Sequence, residues 1–164
     1  MAATHGISTR PGRQSDMIDE SFLAGISGTA DNHGLYSIGL RWAIRPQSWQ
    51  SGPVSSPVSL KLVSLFSDVG PFGKANEGIK FAYDGNPLLG EVISRISARS
   101  GEMVDGIDFS FGGVSRGWVG GNGGSLREWN LAHDERIIEC IVSSSDHIHK
   151  LEYATSKGRT IVRS

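Results

Sequence analysis

Leu88 to Gly101 read "LLGEVISRISARSG", and this is the one stretch of the chain that reads two ways. Leu89, Val92, Ile93 and Ile96 stand near helical spacing. Alternation gives another answer, with Val92, Ser94, Ile96 and Ala98 on one face of a strand. Isoleucine is β-branched and packs well on a pleated surface, and the serines favour neither helix interior nor helix continuation. The stretch is therefore expected to be a strand at Val92–Ala98, which leaves the chain without a convincing helix.

The neighbours agree. Immediately downstream, "VDGIDFSF" (Val104–Phe111) alternates imperfectly, "LREWNL" (Leu126–Leu131) reads as a strand, and "RIIECIVSSS" (Arg136–Ser145) as a buried one. "HIHKLEYATS" alternates Ile148, Leu151 and Tyr153, and "RTIVR" closes the chain. Upstream, "FLAGISG" and "LYSIGLRWAI" (Leu35–Ile44) flank the turn formers "TADNHG"; "VSLKLVSLF" reads as a strand, "DVGPFGKANEG" as a loop and "IKFAY" as a short strand. Short strands every 8–12 residues or so, broken by Gly-rich turns, indicate an all-β sandwich, barrel or prism.

Composition fits. Glycine makes up 22 of 164 residues, about twice the usual share of roughly 7 %. The length suits one domain with a real core. Residues 1–20 are polar and aperiodic and are expected to be a flexible tail. Residues 21–44 form a strand pair, residues 45–57 ("RPQSWQSGPVSSP") a Pro/Ser-rich linker, and residues 58–164 the main domain. Sixteen basic residues against 17 acidic ones give a net charge of −1, so no basic field attracts nucleic acid or an anionic membrane. The apolar runs are too short to insert into a bilayer. Cys140 is the only cysteine. With no apolar signal segment in "MAATHGISTRPGRQSDM", the expected location is cytoplasmic.

Several groups could carry chemistry. "GWVGGNGGS" (Gly117–Ser125) lacks the Lys-Ser/Thr ending and the following helix of a phosphate loop. It reads either as a ligand-free loop or as one that offers N–H groups to a neutral polar ligand. Asp105 follows Gly101 at a tight turn, where a carboxylate either caps its own turn or accepts hydrogen bonds from ligand hydroxyls. Asp108, further along the strand, is expected to be solvated. His147 and His149 share one strand face, but no second pair or Cys/Asp cluster completes a metal site, so neither metal nor cofactor is expected. Cys140, in "IIECIV", reads as a small buried hydrophobe. No G-x-S-x-G elbow exists, and a hydrolase would need a Ser and a His within hydrogen-bond reach in a pocket. Trp129 reads as packing. Trp118, beside the glycine loop, is the more open of the two and could stack on a ring.

An ordered set of these motifs resembles the jacalin-related lectins. Across residues 70–161 run "GPFG…F" (Gly70–Phe81), "ISRISARSGEMVDGIDFSF", "GWVGGNGGS", "REWNLAHDERIIECIV" and "IHKLEYATSKGRTI". The family shows the same succession, including a G-x-x-x-D turn before an apolar strand and a GG-x-GG loop. The resemblance implies a β-prism I fold of three four-stranded Greek-key sheets. It also implies non-catalytic binding of mannose- or glucose-containing glycans. A lone site on a small prism points, by itself, to avidity through a homo-oligomer. Carried over residue by residue, Asp105 is the sugar-binding carboxylate, Gly101, Glu102, Met103 and Val104 make its turn, and Gly120 and Gly121 are the facing loop donors.

The termini depart from the family pattern. The family's commonest sugar site uses a C-terminal G-x-x-x-D turn with an N-terminal glycine loop, whereas Gly101–Asp105 and Gly120–Gly121 match the second site of banana-type mannose lectins. "FLAGISGTADNHGLYSIGLRW" (Phe22–Trp42) looks like the family's terminal strand pair, with Asn32 at the Gly position and Tyr36 at the Asp position. A sugar site on that turn is expected to be lost. This strand pair either completes the prism in cis, which is the favoured arrangement, or ends a preceding repeat, or leaves strands for another copy to supply. The competing functional reading is a structural or protein-interaction prism with an inactive sugar site.

Overall fold

The computed structural model describes residues 5–8, 21–44 and 66–163. The expected linker at 45–57, and residues 58–65 of the strand read at "VSLKLVSLF", lie outside the described residues.

Among the described residues, thirteen strands run in chain order as β1 (His5–Ser8), β2 (Ser21–Asp31), β3 (Gly34–Ile44), β4 (Phe66–Gly73), β5 (Ile79–Asp84), β6 (Ile93–Ser100) and β7 (Val104–Phe111). They continue as β8 (Val114–Ser115), β9 (Val119–Gly120), β10 (Ser125–Asn130), β11 (Ile137–Ser144), β12 (Ile148–Thr155) and β13 (Thr160–Arg163). They build three antiparallel sheets, ordered β1-β11-β12-β13, β10-β6-β7-β8 with β9 also on β7, and β4-β3-β2-β5. The second sheet thus carries one short strand more than the four expected. Between β5 and β6 there is one short 3-10 turn, Pro87–Leu89.

The inner faces meet in one core. Ile38, Leu40 and Trp42 come from β3, Ile96 from β6, Ile107 and Phe109 from β7, Cys140 and Val142 from β11, and Leu151 and Tyr153 from β12. Phe109 and Tyr153 meet edge to face with ring centroids 6.4 Å apart, a preferred aromatic arrangement. Phe22, Ala24 and Ala43 form a smaller cluster with Val92 and Phe66 against it.

The ambiguous spacing of the opening stretch has a physical cause. Ile93 and Ile96 are both in the core although they lie three apart. A β-bulge does this: β6 slips register against β7 between Ile93 and Arg95, leaving Ser94 as the extra residue. Ser94 Oγ then serves its own neighbourhood, donating to the Ser110 carbonyl at 3.2 Å and accepting from the Gly113 amide at 2.9 Å.

Three expectations are corrected. The tail contains a strand, since His5–Ser8 pairs with β11; main-chain pairing along an open edge needs no side-chain period to announce it. The loop read at "DVGPFG" belongs to β4, an edge strand with a cis Gly70–Pro71 bond and a register shift opposite Gly39. Proline is tolerated at an edge or a bulge, so it was a poor sign of loop here. Asp108 is 4 % exposed rather than solvated. β8 and β9 pair along the edge of β7, and this brings Ser115 beside Asp108. Asp108 Oδ2 accepts from Ser115 Oγ at 2.6 Å.

The strand pair Phe22–Trp42 forms the two middle strands of its sheet, with β4 on β3 and β5 on β2.

Candidate functional site

The Gly101–Asp105 turn joins β6 to β7 and is closed by its own backbone, with the Gly101 amide donating to the Met103 carbonyl at 3.0 Å. Val104 is fully buried and anchors the turn, Glu102 is exposed and Met103 half-buried. Register pairs Ser100 with Val104 and Arg99 with Gly106, so Asp105 is the extra residue of a second bulge. Bulges re-aim side chains, and this one turns the half-buried Asp105 toward the glycine loop. A methyl group on Gly123 would lie 3.4 Å from Asp105 Oδ1, and one on Gly124 2.6 Å from Oδ2.

The Asp105 carboxylate accepts no hydrogen bond from the described residues. Asp31, in the β2–β3 turn, does the opposite. Its Oδ1 accepts from the His33 amide at 2.8 Å and its Oδ2 from the Tyr36 hydroxyl at 3.1 Å. The two turns show both fates open to such an acid, and only Asp105 keeps its oxygens for something else.

The facing loop is tied down where it must be. Gly120 pairs with Gly106 across β9 and β7. Its φ of +98° and its contact with the Asp105 carbonyl exclude any side chain. The Gly121 amide donates to the Asp105 carbonyl at 2.6 Å, which engages it within the fold. The amides of Asn122, Gly123 and Gly124 find no acceptor among the described residues. The Asn122 and Gly124 carbonyls each lie 3.4 Å from Arg99 Nη1. At the start of the loop, the Tyr83 hydroxyl donates to the Gly117 carbonyl, and Arg116 Nη1 donates to the Asp84 carbonyl at 3.0 Å. Burial, with the Asp108 carboxylate second, pushes the Tyr83 hydroxyl well above the usual tyrosine range, so it stays a donor. Neither Tyr83 nor Arg116 stood out in the sequence, because nothing local marks a residue that reaches across to another sheet.

A third turn joins them. A methyl at Gly34 would meet the Val104 carbonyl at 3.2 Å and Met103 Sδ at 3.5 Å, and Gly121 sits against the backbone of Asn32. Three turns from two sheets therefore converge beside one open carboxylate and three open amides. Such a site offers a charged acceptor and neutral donors.

The other candidates separate. His147 stacks on Tyr36 with centroids 4.7 Å apart, and His149 Nε2 pairs with Ser145 Oγ at 2.6 Å. That Ser–His contact has the reach of a catalytic pair, but among the described residues no carboxylate orients the other ring nitrogen. No group of His, Cys, Asp and Glu among the described residues could hold a metal. No helix among them is long and apolar enough to cross a membrane. Cys140 is buried, and Trp129 packs against the core. A groove of about 490 Å³ lies elsewhere, on the outer face of β4-β3-β2-β5, with Arg41 Nε bonded to Asp68 at 2.8 Å along its wall.

No family model and no curated protein matches the sequence. Solved structures do. Artocarpin complexed with methyl-α-mannose aligns with a TM-score of 0.63 at 12 % identity, over 94 % of this chain and 97 % of that one. AcmJRL, a mannose-binding jacalin-related lectin from Ananas comosus, aligns at 0.60 and 14 % identity, over 90 % and 95 %. A prostate-specific WGA16 glycoprotein lectin aligns at 0.61 and 15 % identity, over 95 % and 93 %. The three-sheet arrangement is the β-prism I fold of the jacalin-related lectins.

Proposed function

We propose that this chain is a non-catalytic carbohydrate-binding protein whose site lies between the Gly101–Asp105 turn and the loop Gly120–Gly124. One observation carries the reading: a half-buried carboxylate with no internal hydrogen bond, set against a loop with three unused amides. A sugar of mannose or glucose type fits this set. It is neutral, so it is held by directional bonds rather than by net charge. Two adjacent hydroxyls donate to Asp105, and charge-assisted bonds of this kind are stronger than neutral ones. The amides of Asn122, Gly123 and Gly124 donate to further sugar oxygens. Gly120 and Gly121 hold the loop at the right distance, and Glu102 and Met103 shape the turn.

Affinity at one such site is modest because water competes for every hydroxyl. Several copies presented together would multiply it.

The test is retention on mannan or mannose resin. Asp105→Ala is expected to abolish retention while circular dichroism stays that of a folded β protein. Undiminished retention of the variant places binding elsewhere. Failure of the wild-type chain to bind any glycan on an array leaves the protein-interaction reading in its place.

A further inference from the structure

Beside the glycine loop runs an outward row of two exposed side chains and one half-buried arginine. Register pairs Leu126 with Arg99 and Arg99 with Gly106, and residues paired across antiparallel strands share a face. The adjacent pair, Ala98 and Ile107, lies in the core, so this row faces outward. A methyl group at Gly106 would stand 3.5 Å from Trp118 Cε3. The indole therefore lies close over the Gly106 backbone, where a methyl would just touch it and would clash with the Gly121 carbonyl at 2.6 Å. The outward row reads Leu126, Arg99, Trp118. Leu126 and Trp118 are each 46 % exposed. Arg99 Nη1 lies 3.4 Å from the carbonyls of Asn122 and Gly124, in the same loop that borders Asp105.

Trp118 is also held in place. Gly117, just before it, is fixed by the Tyr83 hydroxyl. Arg116 is fixed by the Asp84 carbonyl at 3.0 Å and by the Phe111 ring 4.7 Å below its guanidinium. A half-exposed indole on a clamped segment loses little freedom when a ligand covers it.

We propose that Trp118 and Arg99 form a second subsite continuous with the Asp105 site, so that the ligand is an oligosaccharide of at least two neutral units. This rests on the Asp105 reading. A pyranose ring has a C–H face and a rim of hydroxyls. Its C–H hydrogens carry partial positive charge and settle on the negative face of the indole. The guanidinium, donor-only, bonds a rim hydroxyl. The first sugar lies between the Asp105 carboxylate and the loop amides, and its neighbour lies over the indole.

The experiment is calorimetric titration of wild type, Trp118→Ala, Trp118→Phe and Asp105→Ala. The probes are methyl α-mannoside and methyl α-glucoside against α-mannobiose and maltose. Wild type is expected to bind a disaccharide at least tenfold more tightly than its monosaccharide. Trp118→Ala removes that gain and leaves monosaccharide affinity within twofold, whereas Trp118→Phe keeps most of it. Equal weakening of both ligands in Trp118→Ala, no change in either, or no wild-type preference for disaccharide overturns the subsite alone. No wild-type binding of any probe, or full monosaccharide binding by Asp105→Ala, overturns the Asp105 reading and this one with it.

Discussion

Replacing Glu135 with glutamine should cost stability at neutral pH and little near pH 2. Glu135 is 2 % exposed, in the turn before β11. Its Oε2 accepts from Arg159 Nε at 2.9 Å and Thr155 Oγ1 at 2.6 Å, and its Oε1 from the Ala132 amide at 3.0 Å and Arg159 Nη2 at 3.1 Å. Arg159 also donates to the Asn130 carbonyl at 2.7 Å, tying the end of β10 to the β12–β13 turn. The Arg159 bonds, and after them those of Thr155 and Ala132, hold the carboxyl at about 2 against an ordinary 4.5. At about 1.36 kcal/mol per pH unit that corresponds to roughly 3 kcal/mol. Arg159 is 45 % exposed, and water screens its side of the pair, so about 2 kcal/mol is expected.

The sign follows from the lowered folded value. A carboxyl that ionises more easily when folded adds stability above its unfolded value of 4.5, and the contribution fades as pH falls toward 2. Thermal melts of wild type and Glu135→Gln from pH 7 to pH 2 measure it. The variant should melt about 4–8 °C lower at pH 7, for a chain of this size, and the gap should narrow steadily below pH 5. A gap of the same size at pH 2 and pH 7 would refute the electrostatic account and leave only lost packing.

Three further variants have defined outcomes. Gly124→Ala puts a side chain at φ +69° and a methyl hard against the Ser100 carbonyl and 2.6 Å from Asp105 Oδ2; it should cost more than the roughly 1–2 kcal/mol of the left-handed conformation alone and weaken sugar binding. Gly123→Ala, at 3.4 Å from Oδ1 and without a positive φ, should leave the melting temperature nearly unchanged, as paired melts and titrations would show. Tyr153→Phe should raise stability by about 1 kcal/mol in urea titrations, because the Tyr153 hydroxyl is buried without a partner among the described residues. A loss of stability there would mean that the hydroxyl is satisfied.

The strands were legible wherever one face is apolar and the other is not. "RIIECIV" and "HIHKLEYAT" became β11 and β12 because Cys140 and Val142, and Leu151, Tyr153 and Thr155, are buried at alternate positions, each run set off from Ile137 or Ile148 by a register shift. β6 and β7 were read correctly as strands although their alternation is broken, and the bulges at Ser94 and Asp105 explain the breaks. A bulge shifts the period by one residue, and from the sequence this looks like helical spacing or noise. Asp108 was misread for a different reason. Its burial depends on a glycine-rich segment that pairs along the edge of β7 and brings Ser115 to it, which alternation within β7 does not encode. The turn acid Asp105 and its facing loop could be named from motif order. Which loop amides remain unused could not, because Gly121's engagement with the Asp105 carbonyl is a tertiary contact. Arg99 and Trp118 share a row only through pairings of β6, β7 and β9 that no local pattern encodes.

The central claim is that a sugar is held between Asp105 and the glycine loop. It is tested most directly by following backbone amide resonances while methyl α-mannoside is added to the uniformly nitrogen-15-labelled chain. The account predicts saturable shifts concentrated at Asn122, Gly123, Gly124 and the Gly101–Asp105 turn, and their loss in Asp105→Asn. Shifts centred on Asp31–Tyr36, or shifts that persist unchanged in Asp105→Asn, would contradict it.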